Sequence, residues 1–114
     1  MQDCLFCKII AGEIPSQKVY EDEDTYAFHD INPQAPVHVL VVSKKHTPDV
    51  AHHVDLNDRE LAACLRACAR VAEQLGLGAG GYRIVNNCGE NACQTVGHMH
   101  YHVLGGAKLS ERMA

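Results

Sequence analysis

The segment GHMHYHVLGG, residues 97–106, places His98, His100 and His102 at successive alternate positions, with Met99, Tyr101 and Val103 between and after them. Side chains of a β-strand point to opposite faces in turn, so residues i, i+2 and i+4 share a face. Read as a strand, the segment sets three imidazoles along one side over about 13 Å, at roughly 3.3 Å of rise per residue. The other side is apolar. A helix would scatter the same residues around its circumference. A row of imidazoles is poor packing material, because each ring carries two nitrogens that need partners when buried. The segment therefore demands a sheet with one face on a hydrophobic core and the other turned to chemistry. Imidazole suits that role, with a pKa near 6.5 that makes it base, nucleophile or acid around neutrality.

The remaining pattern supplies such a sheet. DCLFCKIIAGEIP predicts a short helix over about residues 4–11, with Asp3 as N-cap and Gly12 and Pro15 ending it. KVYEDED and TYAFHD read as two strands around an acidic turn at residues 21–24, and HVLVVSKK as a buried strand. NDRELAACLRACARVAEQLGL predicts the one long helix. Asn57 and Glu60 form a capping box, Leu61, Leu65, Cys68, Ala72 and Leu75 an apolar stripe, and Gly76 a stop. GYRIVNN and HMHYHVLGG complete five strands. The order αββ, β, α, ββ has no βαβ alternation. It predicts an α+β domain, an antiparallel sheet of about five strands with one short N-terminal and one long helix.

The chain has 114 residues, which predicts one domain over 1–114. Its net charge is −4 and it has no basic run, which argues against duplex nucleic acid as a partner. No apolar run approaches the ~20 residues of a membrane span. The N-terminus lacks the basic-then-apolar layout of a signal peptide, so a cytoplasmic location is expected. There the six cysteines read as free thiols or metal ligands rather than disulfides.

The run His98-Met99-His100-Tyr101-His102-Val103-Leu104 resembles the motif of the histidine triad (HIT) family, three histidines alternating with apolar residues. LFCKIIAGEIP, AFHDINPQAPVHVLVVSKKH, GYRIVNN and CQTVGHMHYHVLGG extend the resemblance over nearly the whole chain, to the branch of purine nucleoside phosphoramidases. The resemblance implies a homodimer of α+β subunits that hydrolyses purine nucleoside monophosphates linked to an amine. It implies that His100 is the nucleophile, that His102 contacts a non-bridging phosphate oxygen, and that His38 supports both from a neighbouring strand. Asn87, Thr95 and the Val96 backbone match the family's phosphate donors, with Thr95 standing where serine is usual. Asp30 matches the ribose-binding carboxylate. Phe6, Ile9, Ile14, Phe28 and Ile31 match or adjoin the purine pocket, and His29 is placed to cover the base. No Arg or Lys is placed to read base edges, so weak discrimination between adenine and guanine is expected.

Cys4-x-x-Cys7 is half of a metal site, although redox motifs share the spacing and two free thiols packed in the first helix would look the same. Some bacterial members of the wider family bind a structural zinc through two cysteines and two histidines at the positions of Cys4, Cys7, His46 and His98. That use of His98 competes with proton transfer, since a metal-bound imidazole cannot also hand a proton to a leaving amine. Two other readings share these residues. One is a dinucleoside polyphosphate hydrolase with the same nucleophile. The other is a nucleotide-binding module of low turnover, from which His100 would be expected to be lost.

Overall fold

The structure, a computed structural model, describes residues 3–113. A five-stranded sheet is formed by β1 (Lys18–Glu21), β2 (Thr25–His29), β3 (Val37–Ser43), β4 (Tyr82–Asn86) and β5 (His100–Gly105). Its spatial order is β1-β2-β3-β5-β4, and every neighbouring pair is antiparallel. β3 is central, and its almost continuous apolar run is what burial on both faces requires.

Alternation then divides the sheet. On one face Ala27, Val39, Val41 and Val103 meet Ala67, Cys68, Val71 and Ala72 of the long helix α2 (Asp58–Gln74). On the other face Tyr26, Phe28, Leu40 and Val42 meet Phe6 and Ile9 of the short helix α1 (Leu5–Ile10). His38, His100 and His102 lie on this second face, in alternation with the residues that meet α2.

Three local expectations are corrected. The cap of α1 is Cys4, whose Sγ accepts from the Cys7 backbone N–H at 3.3 Å, rather than Asp3. The last strand begins at His100, because the Met99 backbone N–H turns aside to the Thr47 carbonyl at 2.8 Å. The buried stripe of α2 runs through Cys64, Ala67, Cys68, Val71 and Ala72, and Leu65 is 56% exposed. Cys68 and Ala72 of the expected stripe are on the buried line; small side chains let the helix lie close on the sheet, and Leu65 is left off it.

The capping box stands as expected. The Glu60 backbone N–H donates to Asn57 Oδ1 and the Asn57 N–H to Glu60 Oε1, both at 2.8 Å. Gly76 ends the helix at φ +73°, a conformation open to glycine. Replacing Asn57 with Ala is expected to cost about 1 kcal/mol and lower Tm by roughly 4–8 °C in a thermal melt.

Candidate active site

Strand register sets the site. Across β2, β3 and β5, Tyr26, Val42 and His100 form one row, and Phe28, Leu40 and His102 form the next. His38 stands one step further along β3. Above these rows, between α1, the segment before β1, and the loop before β5, lies a cavity of about 810 Å³. Phe6, Ile9, Ile14, Phe28, His29, Asp30 and Ile31 all line it, as do Thr95, Val96, His100 and His102. Of the residues expected at the site, Asn87 and His38 are not in the lining. Asn87 is half-buried one residue beyond β4, and His38 stands behind His102.

The hydrogen bonds fix the protons on these rings. A backbone N–H can only donate, so His38 Nδ1 accepts from Gln34 N at 3.0 Å. The single proton of neutral His38 therefore sits on Nε2. From there it is donated to His102 Nδ1 at 2.8 Å, with Asp30 Oδ2 flanking His38 Nε2 at 3.4 Å. His102 in turn carries its proton on Nε2. The row thus turns one backbone donor, through two rings, into a donor on His102. His100 is set the opposite way. Its Nδ1 lies 2.7 Å from the His98 carbonyl, which can only accept, so Nδ1 holds the proton and Nε2 keeps its lone pair. Asn86 Nδ2 donates to the His100 carbonyl at 3.1 Å, and the edge of Phe6 meets the His100 ring at a centroid distance of 5.0 Å.

Burial holds the histidines neutral. His102 is pushed down to about 4 by burial, then by the neighbouring His100 and His38. His38 is lowered by burial, against the pull of Asp30, and His100 by burial, against its bond to the His98 carbonyl. This has a sign for stability. An unfolded chain takes up protons at these rings near pH 6.5, and the folded chain does so at His102 only near pH 4. The stabilising contribution is therefore complete above pH 6.5 and is lost as pH falls towards 4. Melts between pH 7 and pH 5 should show Tm falling by roughly 5 °C or more, with a shallower slope in His38→Gln.

The loop carrying Thr95 and Val96 is braced by Gln94. Its Oε1 accepts from the Gly89 N–H at 2.8 Å, and its Nε2 donates to the carbonyls of Pro48 at 2.7 Å and Val96 at 2.9 Å. His52 and His53 lie on the exposed turn before α2, far from a role in the cavity lining.

Beside this cavity, Cys4, Cys7, His46 and His98 bring four ligating atoms within 4.8 Å of one another. His98 is fully buried, and its Nε2 donates to the Ser43 carbonyl at 2.7 Å, so the Nδ1 lone pair faces the thiols. Nδ1 stands 3.3 Å from Cys4 Sγ, 3.5 Å from Cys7 Sγ and 3.2 Å from His46 Nδ1. Cys7 Sγ lies 3.4 Å from His46 Nδ1. These four residues can hold a metal ion. Burial pushes the Cys7 thiol up to about 11, helped by Cys4, so a metal entering here must displace protons. The second compact group, Asp30, His38 and His102, is different. There the bond from Gln34 to His38 Nδ1 keeps a proton on Nε2, pointing into the space a cation would need.

Sequence reasoning did not single out Asn86, Leu40, Ser16 or the Gln34 and Ser43 backbone. Leu40 follows from alternation with His38 along β3. The others are set by tertiary contacts that leave no periodic trace.

Fold and site define a class, an antiparallel-sheet protein with oriented imidazoles facing an apolar cavity on the side its long helix leaves free. A family model for the HIT domain matches residues 11–109. The chain is 38% identical over 113 residues to the purine nucleoside phosphoramidase of Escherichia coli K12, covering 99% of this chain and 95% of that protein. Its fold is similar to a HIT family hydrolase from Clostridium thermocellum, with TM-score 0.92, 44% identity, and 100% and 99% of the two chains covered. It is also similar to the histidine triad nucleotide-binding protein of Candida albicans, with TM-score 0.82, 34% identity, and 98% and 87% covered. The chain belongs to the HIT family.

Proposed function

We propose that the protein hydrolyses purine nucleoside 5′-phosphoramidates through a nucleotidyl-histidine intermediate on His100. The observation that carries the reading is the orientation of His100: Nδ1–H tied to the His98 carbonyl at 2.7 Å, leaving Nε2 unprotonated at the cavity wall. The similarity to the Escherichia coli phosphoramidase supports the substrate class.

In the first step the Nε2 lone pair attacks the α-phosphorus and the P–N bond to the amine breaks. A covalent step splits one hard displacement into two easier ones. The departing nitrogen must gain a proton. His98 cannot give it, because Nε2–H is spent on Ser43 and Nδ1 faces the thiols. The Thr95 hydroxyl, in the lining of the same cavity as His100, relays it from water. His102 Nε2–H donates to a non-bridging oxygen, aided by the Val96 N–H, with Asn87 as a further donor. The His102 donor is set before charge develops, because His38 holds its tautomer, which is how preorganised electrostatic catalysis works. In the second step water attacks phosphorus and passes its proton to solvent through the Thr95 hydroxyl, the P–Nε2 bond breaks to return neutral His100 with its Nδ1–H, and a nucleoside monophosphate leaves. Asp30 accepts from the ribose hydroxyls. Phe6, Ile9, Ile14, Phe28 and Ile31 hold the purine, and His29 covers it.

Cys4, Cys7, His46 and His98 fit zinc. With Zn–N near 2.05 Å and Zn–S near 2.3 Å, a tetrahedron has edges of about 3.3 Å between nitrogens and about 3.5 Å between nitrogen and sulfur. The corresponding distances here are 3.2 Å and 3.3–3.5 Å. Four protein ligands leave no open position, so the ion would be structural, tying α1 to the segment entering β5. A homodimer completes the reading; β4 is an open sheet edge, and α2 exposes Leu65.

The test is direct. Wild-type protein mixed with an adenosine phosphoramidate and quenched early should gain the mass of one AMP moiety on the peptide containing His100. Turnover without such an adduct would remove the covalent step. No turnover, with AMP still bound, would reduce the protein to a nucleotide-binding module.

A further inference from the structure

One hydroxyl of the cavity wall, that of Ser16, is backed by a second, that of Tyr26, which stands behind the lining. Ser16, in the segment between α1 and β1, is half-buried and lines the cavity. Its Oγ lies 2.9 Å from the Tyr26 hydroxyl, and Tyr26 is only 9% exposed. Tyr26 and His100 flank Val42 in one row across three strands. At about 4.8 Å per strand, their backbones stand about 10 Å apart. That is the scale of a nucleotide from its α-phosphate to the far edge of its base. The apolar rings of Phe6 and Phe28 lie against each other under the same cavity.

Hydroxyls both donate and accept. Within the pair one must donate to the other, and either direction is open. When Tyr26 donates, the Ser16 hydrogen is free for an acceptor in the cavity. When Ser16 donates, its remaining lone pair is free for a donor. Changing between them needs only rotation about two C–O bonds.

We propose that Ser16, backed by Tyr26, reads the six-position of the purine ring, accepting a 6-amino or a 6-oxo group alike and selecting against a base that has neither. The inference rests on the nucleotide reading of the cavity. It adds a specificity-determining residue and gives weak adenine-versus-guanine discrimination a positive cause, a reader that reverses its polarity. Selection against an unsubstituted ring follows because that ring strips water from Ser16 without replacing the bond.

Calorimetric titration with AMP, IMP and purine riboside 5′-monophosphate, which carries hydrogen at the six-position, tests this. In wild type, AMP and IMP should bind within about three-fold of each other, and the unsubstituted nucleotide about ten-fold more weakly. Ser16→Ala should weaken AMP and IMP and close the gap, and Ser16→Thr, which keeps the hydroxyl, should preserve it. Equal binding of all three nucleotides to wild type would overturn the inference, as would a Ser16→Ala variant that weakens all three alike. The titration involves no chemistry. A gap that persists in a protein forming no adduct therefore upholds Ser16 as the reader while overturning the phosphoramidase reading. Failure of all three to bind overturns both.

Discussion

His100→Ala should lose roughly 10⁴- to 10⁶-fold in kcat on an adenosine phosphoramidate, the range expected when a covalent nucleophile is deleted. It should form no AMP adduct and still bind AMP. The ring is one of many groups in the cavity wall, and Asp30, Phe6, Phe28 and Ile14 remain in the lining. KM should therefore move little compared with kcat, which separates a missing nucleophile from a damaged pocket. His38→Ala is the informative contrast. It leaves His100 bonded to the His98 carbonyl but frees His102 from the tautomer that Gln34 imposes through His38. Turnover should fall by roughly 10²-fold, as for loss of one positioned donor, with the adduct still forming. Rapid-quench kinetics and mass spectrometry on both variants read the difference. If His100→Ala turned over at the wild-type rate, the nucleophile would have to be sought elsewhere.

Why these rings were visible in the sequence, and their protons were not, is a matter of range. Alternation along one strand is local, so the pattern alone sets His100 and His102 on a common face, whereas His98, which the same pattern includes, stands before the strand and turns to Cys4 and Cys7. The proton positions depend on acceptors and donors far away in sequence: the Ser43 carbonyl for His98, and His38, held by Gln34, for His102. Strand pairing brings those together, and no periodicity encodes it. The long helix is a mixed case. Cys68 and Ala72 of the expected stripe are buried, but hydrophobicity also draws in Leu65, which is exposed, while close packing on the sheet selects Ala67 by size. The cavity lining falls between these cases. Phe6, Ile9, Ile14, Phe28 and Ile31 were placed by resemblance to a family, since an apolar residue facing a cavity looks in sequence like any core residue.

The second large effect concerns the Cys–His cluster. Protein prepared without added metal should carry close to one zinc per chain by elemental analysis. Cys7→Ser should carry far less and melt roughly 10–20 °C lower, corresponding to about 3 kcal/mol of binding linked to the folded state. The size follows from what the ion would join. α1 is six residues long, too short to hold itself, and is fixed to the sheet face by Phe6 and Ile9. Its N-cap is Cys4, so the same sulfur would end the helix and bind the ion. Losing the ion removes an anchor at the end of α1, whose Phe6 and Ile9 line the cavity. Cys93→Ser, at an exposed position, should change neither zinc content nor melting. The effect on chemistry decides the role of the ion. A structural zinc predicts that Cys7→Ser, assayed well below its Tm, keeps kcat within about ten-fold, because neither His100 nor His102 is one of the four ligands and the His98 carbonyl that holds His100 is not a ligating atom. A loss as deep as that of His100→Ala, in a variant still folded by circular dichroism, would place the metal in the reaction itself and remove the reading of His98 as a ligand outside it.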